Sequence, residues 1–159
     1  MKEQQKKYEL TGEFIEHWSG KKLYRIKALV SFGVVVAGQL GGFIESEKNL
    51  DQSLSGNAWV SGNAWVYGDA RVYGDARVRS HAVISEHKMI FWASNVGSEN
   101  GTLTVFNGRD GLIVTRGCFT GTVDEFLAKS AEVHDDKTKN EYKLLIEVAK
   151  SRILGVKDE

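Results

Sequence analysis

Several kinds of work are closed to this chain by what it lacks. One cysteine, Cys118, excludes an internal disulfide and fits a reducing compartment. Lysine plus arginine number 21, and so do aspartate plus glutamate, so no overall electrostatic bias draws the chain to nucleic acid or a membrane. The apolar run 28–37 falls short of the roughly 20 residues a bilayer span needs; it reads as a buried strand. The start MKEQQKKYEL has no apolar stretch of the kind a secretory signal carries, and residues 1–7 are expected to fray. A soluble cytoplasmic protein of one or two small domains is the expectation. Proline is absent altogether, for which so turn-rich a sequence offers no physical account.

What is present is a repeat. From Ser55 the chain reads SGNAWV, SGNAWV, YGDARV, YGDARV, RSHAVI, in register every six residues. Val60, Val66, Val72, Val78 and Ile84 fill one column and Ala58, Ala64, Ala70, Ala76 and Ala82 another. Gly56, Gly62, Gly68 and Gly74 form a third, which Ser80 ends, and Asn57, Asn63, Asp69, Asp75 and His81 form the polar column beside it. One aliphatic and one small residue per hexad is the pattern of a parallel β-helix. Residues two apart on a strand share a face, so valine and alanine both point inward while glycine permits the bend. Three hexads make a coil of eighteen residues. That spacing stacks Leu54 under Val72 and Ile90, Val60 under Val78 and Val96, and Val66 under Ile84, with a phase slip between Ile44 and Leu54.

Both flanks read as caps, which an open coil end requires. Residues 1–43 form an N-terminal β cap, with strands at Tyr8–Leu10 and Lys22–Val30, a turn at His17–Gly20 and a glycine-rich bend at Gly38–Phe43. Residues 44–97 are the hexad segment. Residues 98–159 are a hairpin turning at Asn107–Gly111 and two helices, opened by capping boxes at Thr122–Glu125 and Thr138–Glu141 and closed at Gly155. The predicted fold is therefore mainly β with an α+β tail: a short parallel β-helix between a β cap and a ββαα module. So few coils leave exposed walls, and a homo-oligomer, dimer or trimer, is expected.

Two stretches carry a resemblance: LYRIKAL…GQLGGFIESEKNLDQSLSGNAWV with its GNA and GDA hexads, and VGSENGTLTVF…GLIVTRGCFTGTVDEF with HDDKTKNEYKLL. Together they resemble hexapeptide-repeat proteins encoded by phages and prophages, with a recurrent C-terminal GCF-x-GT module, from Tyr8 to about Ile153. The resemblance implies a left-handed β-helix and an accessory protein acting inside an infected bacterium. Such proteins often block host defence, either by binding an immune complex in the manner of an anti-CRISPR or by sequestering a cyclic nucleotide signal. It implies no established activity and no cofactor.

The side chains flanking each valine are predicted to face outward: Trp59, Trp65, Arg71 and Arg77 on one side, Ser61, Tyr67, Tyr73 and Arg79 on the other. Eighteen residues per coil set Trp59 beside Arg77, within reach of a cation–π contact. Exposed tryptophan, tyrosine and arginine suit a partner protein, and the same groups stack a nucleotide base. Coverage by the chain's own caps or by a second copy is the reading that ranks above both. Arg116, ahead of the helix opened at Thr122, is a further candidate for an anion, with an exposed strand-end arginine as the favoured reading.

Other constellations point away from chemistry. Asn57, Asn63, Asp69 and Asp75 lie on different walls, so they do not converge on a cation; capping of corners through backbone hydrogen bonds is the favoured role. His81 and His87 are separated in the same way and do not make a zinc site. An acyltransferase-like enzyme using a histidine base is the runner-up, with a virion or assembly component as the structural alternative. Cys118 is read as a buried turn residue and His134 as a packed one, rather than as a thiol–imidazole pair.

Overall fold

The computed structural model describes residues 6–155. The chain is mainly β with two C-terminal helices. Of the residues expected to fray, the first five lie outside the described ones; Lys6 instead pairs with Glu47 at 3.0 Å and Lys7 is fully buried.

The N-terminal strands β1 (Tyr8–Glu16) and β2 (Lys22–Ala28) form an antiparallel hairpin through the turn His17–Gly20. Next comes β3 (Leu40–Ile44), antiparallel to β2. Between them the run 28–37 is not the buried strand expected. It is a loop closed by one short bridge, Phe32 to Val35, with Val34 and Val36 largely exposed. Gly33 and Gly38 take positive φ here, and those bends break the strand that the apolar composition suggested.

The hexads give four two-residue strands: β4 (Trp59–Val60), β5 (Trp65–Val66), β6 (Arg77–Val78) and β7 (Val83–Ile84). All pair in parallel, β4 with β6 and β5 with β7, and the partners are eighteen residues apart. The five valine-column and five alanine-column side chains are buried in one shared core. At about 1.5–3 kcal/mol for each buried valine or isoleucine, this is the main attraction holding the segment together. Two expected stackings differ. Phe43 pairs with Trp65, Ile44 with Val66 and Leu50 with Val72, an offset of twenty-two. The four extra residues therefore fall after Leu50 rather than before Leu54: Leu50 is buried under Val72, and Leu54 is displaced outward and exposed. Val96 does not continue the Val60–Val78 wall, because the chain has already turned into an antiparallel sheet, where Val96 pairs with Gly101.

That sheet is β8 (Ile90–Val96), β9 (Gly101–Gly108), β10 (Gly111–Arg116) and β11 (Phe119–Thr122), in the order β11-β10-β9-β8. It holds two strands more than the expected hairpin. It packs on α1 (Val123–Val133) and α2 (Asp136–Leu154) around a second core that includes Leu103, Val105, Phe126, Tyr142 and Ile146. The Thr122–Glu125 capping box forms as expected, and Gly155 closes α2 in the left-handed conformation. The second helix opens earlier than predicted: Asp135 is its N-cap and accepts the Thr138 N–H at 2.8 Å, so Thr138 lies inside the helix.

Side chains satisfy the backbone at both ends of the hexad stack. At one end Lys7 Nζ donates to the Ala58 carbonyl at 2.9 Å, the Tyr8 hydroxyl to that of Leu50, and the Asn49 amide to those of Gly68 and Ala70. At the other, Thr104 Oγ1 accepts the Arg77 N–H, Thr115 Oγ1 donates to the Arg77 carbonyl, and Asn107 donates to that of Val83.

Two predictions arise here. Gly62, Gly68 and Gly74 have φ of 63° to 66°, and a Cβ on Gly68 would lie 2.6 Å from the Ser85 carbonyl oxygen. Ser80 adopts the same region of φ with a side chain. Gly68→Ala is therefore expected to lower stability by more than about 1–2 kcal/mol, the cost of left-handed backbone alone, whereas Ser80→Gly causes no comparable loss. Urea unfolding of both variants checks this, and a Gly68→Ala protein as stable as the parent would refute it. The second concerns Lys7, whose pKa is pulled below the ordinary 10.5 by burial, with Asp51 opposing. The folded chain holds this proton less tightly than the unfolded chain. The site's contribution is thus complete above the unfolded value and is lost as pH falls through the folded one. Unfolding free energy should rise as pH climbs toward the ordinary lysine value of 10.5, and Lys7→Met should flatten that rise. An unchanged slope in the variant would count against it.

Candidate functional site

The outward positions of the hexads are not the row of solvated rings that the repeat predicts. Trp59 is only 5 % exposed, packed edge-on against Tyr8 and Phe32. Trp65 and Tyr67 are half-buried under His17 from the β1–β2 turn, and the Arg109 guanidinium lies 5.7 Å from the Trp65 ring centre. The N-terminal hairpin and the loop 29–39 cover these rings, in line with the reading ranked first, coverage by the chain's own caps. Tyr73 is exposed, with Trp92 edge-on at 4.6 Å and Arg71 at 5.2 Å from its ring centre. Cys118 is exposed, correcting the buried turn residue expected, because the β10–β11 turn points away from the second core. His134 caps α1, its Nδ1 2.8 Å from Ser130 Oγ and its ring against Tyr142. His81 and His87 are both exposed, and among the described residues no group of three metal-ligating side chains occurs.

The wall carrying Val60 and Val78 does bring predicted residues together. Register sets Trp59 directly beside Arg77, as expected, although the rings touching Trp59 belong to Tyr8 and Phe32. On the other side of the inward valines, the Ser61 N–H donates to the Val78 carbonyl, placing Ser61 beside Arg79. The loop carrying Val34 and Val35 folds over this quartet and encloses a cavity of about 220 Å³. A second cavity of about 300 Å³ adjoins it, between the hexads and the C-terminal sheet, lined by Asp75, Glu99, Thr102, Thr115 and Arg116 among others. Asn57 and Arg77 line both, so the two halves of this cleft share those residues as a common wall.

Its electrostatics are cationic. Arg79 donates to the Gly117 carbonyl at 2.9 Å and to Thr120 Oγ1 at 3.1 Å, fixing the β10–β11 turn. Burial, and then the neighbouring Arg77 charge, pull the Arg79 guanidinium below its ordinary pKa. Arg77 itself makes no ion pair among the described residues. Arg116 donates through Nε to the Tyr142 hydroxyl at 2.7 Å and through Nη1 to Glu99 at 3.1 Å. Its Nη2 is buried without a partner among the described residues, and so is the Trp59 indole N–H. Two buried donors without acceptors at one cleft stand out, since almost all such groups are satisfied. Asp75 takes the Asn57 N–H at 3.1 Å through Oδ1, the corner-capping role expected of this column.

The cleft thus holds three guanidiniums and two carboxylates beside the apolar side chains of Val34, Val35 and Trp59. Arg77, Arg79, Arg116 and Trp59 are among the predicted site residues it contains; Trp65, Tyr67, Arg71 and Tyr73 lie outside it. Val34, Gln39, Asp75 and Glu99 are not among the predicted site residues. Three of them arrive from distant segments and carry no motif, and Asp75 has only its place in the polar column to mark it. No family model and no curated protein matches the chain.

The Arg116 arrangement is testable. Tyr142→Phe removes only the hydroxyl that receives Nε, leaving a second buried guanidinium donor unpaired. It should cost about 1–3 kcal/mol in urea unfolding. A loss below a few tenths would show that Tyr142 does not hold Arg116 in place.

Proposed function

We propose that this is a non-enzymatic binding protein, a phage-encoded accessory factor that counters bacterial antiviral defence by sequestering a nucleotide immune signal in the Arg77 cleft. The phage origin and the defence role rest on the family resemblance. The nucleotide rests on one observation above all: Arg77 lines both cavities with no countercharge paired to it among the described residues. A phosphate there accepts bidentate, charge-assisted hydrogen bonds. We further read the hexad segment as a short left-handed β-helix. The eighteen-residue parallel offsets and the buried valine and alanine columns support a coil, and its hand rests on the family resemblance; the two-residue strands merge into a mixed sheet with the N-terminal hairpin. The protein is proposed to act in the cytoplasm of the infected host, as a dimer or trimer.

A second reading, capture of a host defence protein, has Trp18 in its favour. It is 90 % exposed at the β1–β2 turn beside His17. Calorimetric titration with mononucleotides, cyclic nucleotides and dinucleotides separates the two. At least one should bind at micromolar Kd or tighter, and Arg77→Ala should weaken it at least tenfold with the melting curve unchanged. Absence of binding by every nucleotide, with a host protein retained by wild type and lost on Trp18→Ala, would overturn the nucleotide reading.

A further inference from the structure

The chemistry of the two cavities differs, and the difference says what sort of nucleotide would fill them. This inference rests on the nucleotide reading above. Either cavity alone is at or below the smallest usual ligand pocket, about 300 Å³, whereas the two together fall within the normal range. The first is lined by Val34, Val35, Val78 and Trp59 together with the polar side chains of Gln39, Ser61 and Arg79. It suits a flat ring whose rim carries polar atoms. The second has the Asp75 carboxylate and Arg116, beside Thr102 and Thr115, whose hydroxyls are engaged by Ser94 and by the Arg77 carbonyl. It suits a group rich in hydroxyls rather than a ring. Arg77 lines both.

We infer that the cleft takes a phosphodiester of a nucleoside: base in the Val34–Trp59 cavity, internal phosphate on Arg77, and a second ribose beside Asp75 and Thr115. A terminal phosphate would leave the second cavity without an occupant. The assignment gives Asp75 a defined task. Its Oδ1 is engaged by the Asn57 N–H, leaving Oδ2 to accept from a sugar hydroxyl. Asp75 would repel a phosphate placed in the second cavity, which is why the phosphate belongs on Arg77.

Five probes test this by calorimetry on the full chain: adenylyl-3′,5′-adenosine, its 2′,3′-dideoxy form in the second sugar, its uncharged methylphosphonate analogue, adenosine monophosphate and inorganic phosphate. The diester should bind at least tenfold more tightly than the monophosphate, and replacing its charged linkage should remove most of the affinity. Asp75→Asn keeps an oxygen for the Asn57 N–H but offers a donor in place of Oδ2. It should weaken the ribose diester at least fivefold while leaving the 2′,3′-dideoxy form of the second sugar unaffected. Equal binding of monophosphate and diester, or equal losses for both sugars in Asp75→Asn, would overturn this inference and leave nucleotide sequestration standing. Failure of all five probes and of every other nucleotide would remove both.

Discussion

Backbone hydrogen bonds between segments eighteen residues apart are the constraint on which the rest depends. They form only if equivalent corners sit one above another, and there the main chains approach so closely that side chains are excluded. A Cβ on Gly56 would collide with the Gly74 carbonyl, and one on Gly62 would lie 3.2 Å from the Ser80 nitrogen. The ladder has a second consequence. It is short, so both ends present carbonyls and N–H groups that must find partners or remain unpaired at a cost. Lys7, Tyr8 and Asn49 answer this at one end. Thr104, Asn107 and Thr115 answer it at the other.

Those end-capping groups also create the cleft. Thr104 and Thr115 grip the backbone of Arg77 from above, which brings the C-terminal sheet down beside the Val60–Val78 wall. From the other side, the ammonium of Lys7 lies 4.8 Å from the Phe32 ring centre, and Phe32 packs on Trp59, so the loop 29–39 is drawn over the same wall. One outward face is thereby roofed by both flanks. The side chains enclosed there are those the hexads place outward, Trp59, Ser61, Arg77 and Arg79. The site is a by-product of closing the stack, and its position follows from where the ladder ends.

The repeat was legible because one rule is applied to every hexad. Valine and alanine columns two residues apart must share a face, and the burial of Val60 through Ile84 follows from that rule alone. The offset of twenty-two at Leu50 was not legible, because 51–58 contains an apolar Leu54 in phase with the hexads, and only the tertiary position of Asn49 decides against it. The strand predicted at 28–37 failed for the same kind of reason: composition favoured burial, but Gly33 and Gly38 turn the chain. In the site, Arg77 and Trp59 could be paired from periodicity, since both belong to the repeat. Asp75 could be placed on its column but not given a role in the cleft, and Val34, Gln39 and Glu99 came from segments with no period linking them to it.

A chain with no net charge has nonetheless gathered the guanidiniums of Arg77, Arg79 and Arg116 around one cleft. Of the two carboxylates there, Glu99 is paired with Arg116 and Asp75 is engaged by the Asn57 N–H. The repeat explains the proximity of Arg77 and Arg79, which flank one inward valine and so face the same side. It does not require arginine at either position, because Trp59 and Ser61 occupy the equivalent slots eighteen residues earlier. Arg79 has a structural use in holding the β10–β11 turn. Arg77 has none through its side chain among the described residues, and its charge raises the cost of keeping Arg79 ionised. An anion bound beside Arg77 would offset the repulsion that its charge adds to Arg79.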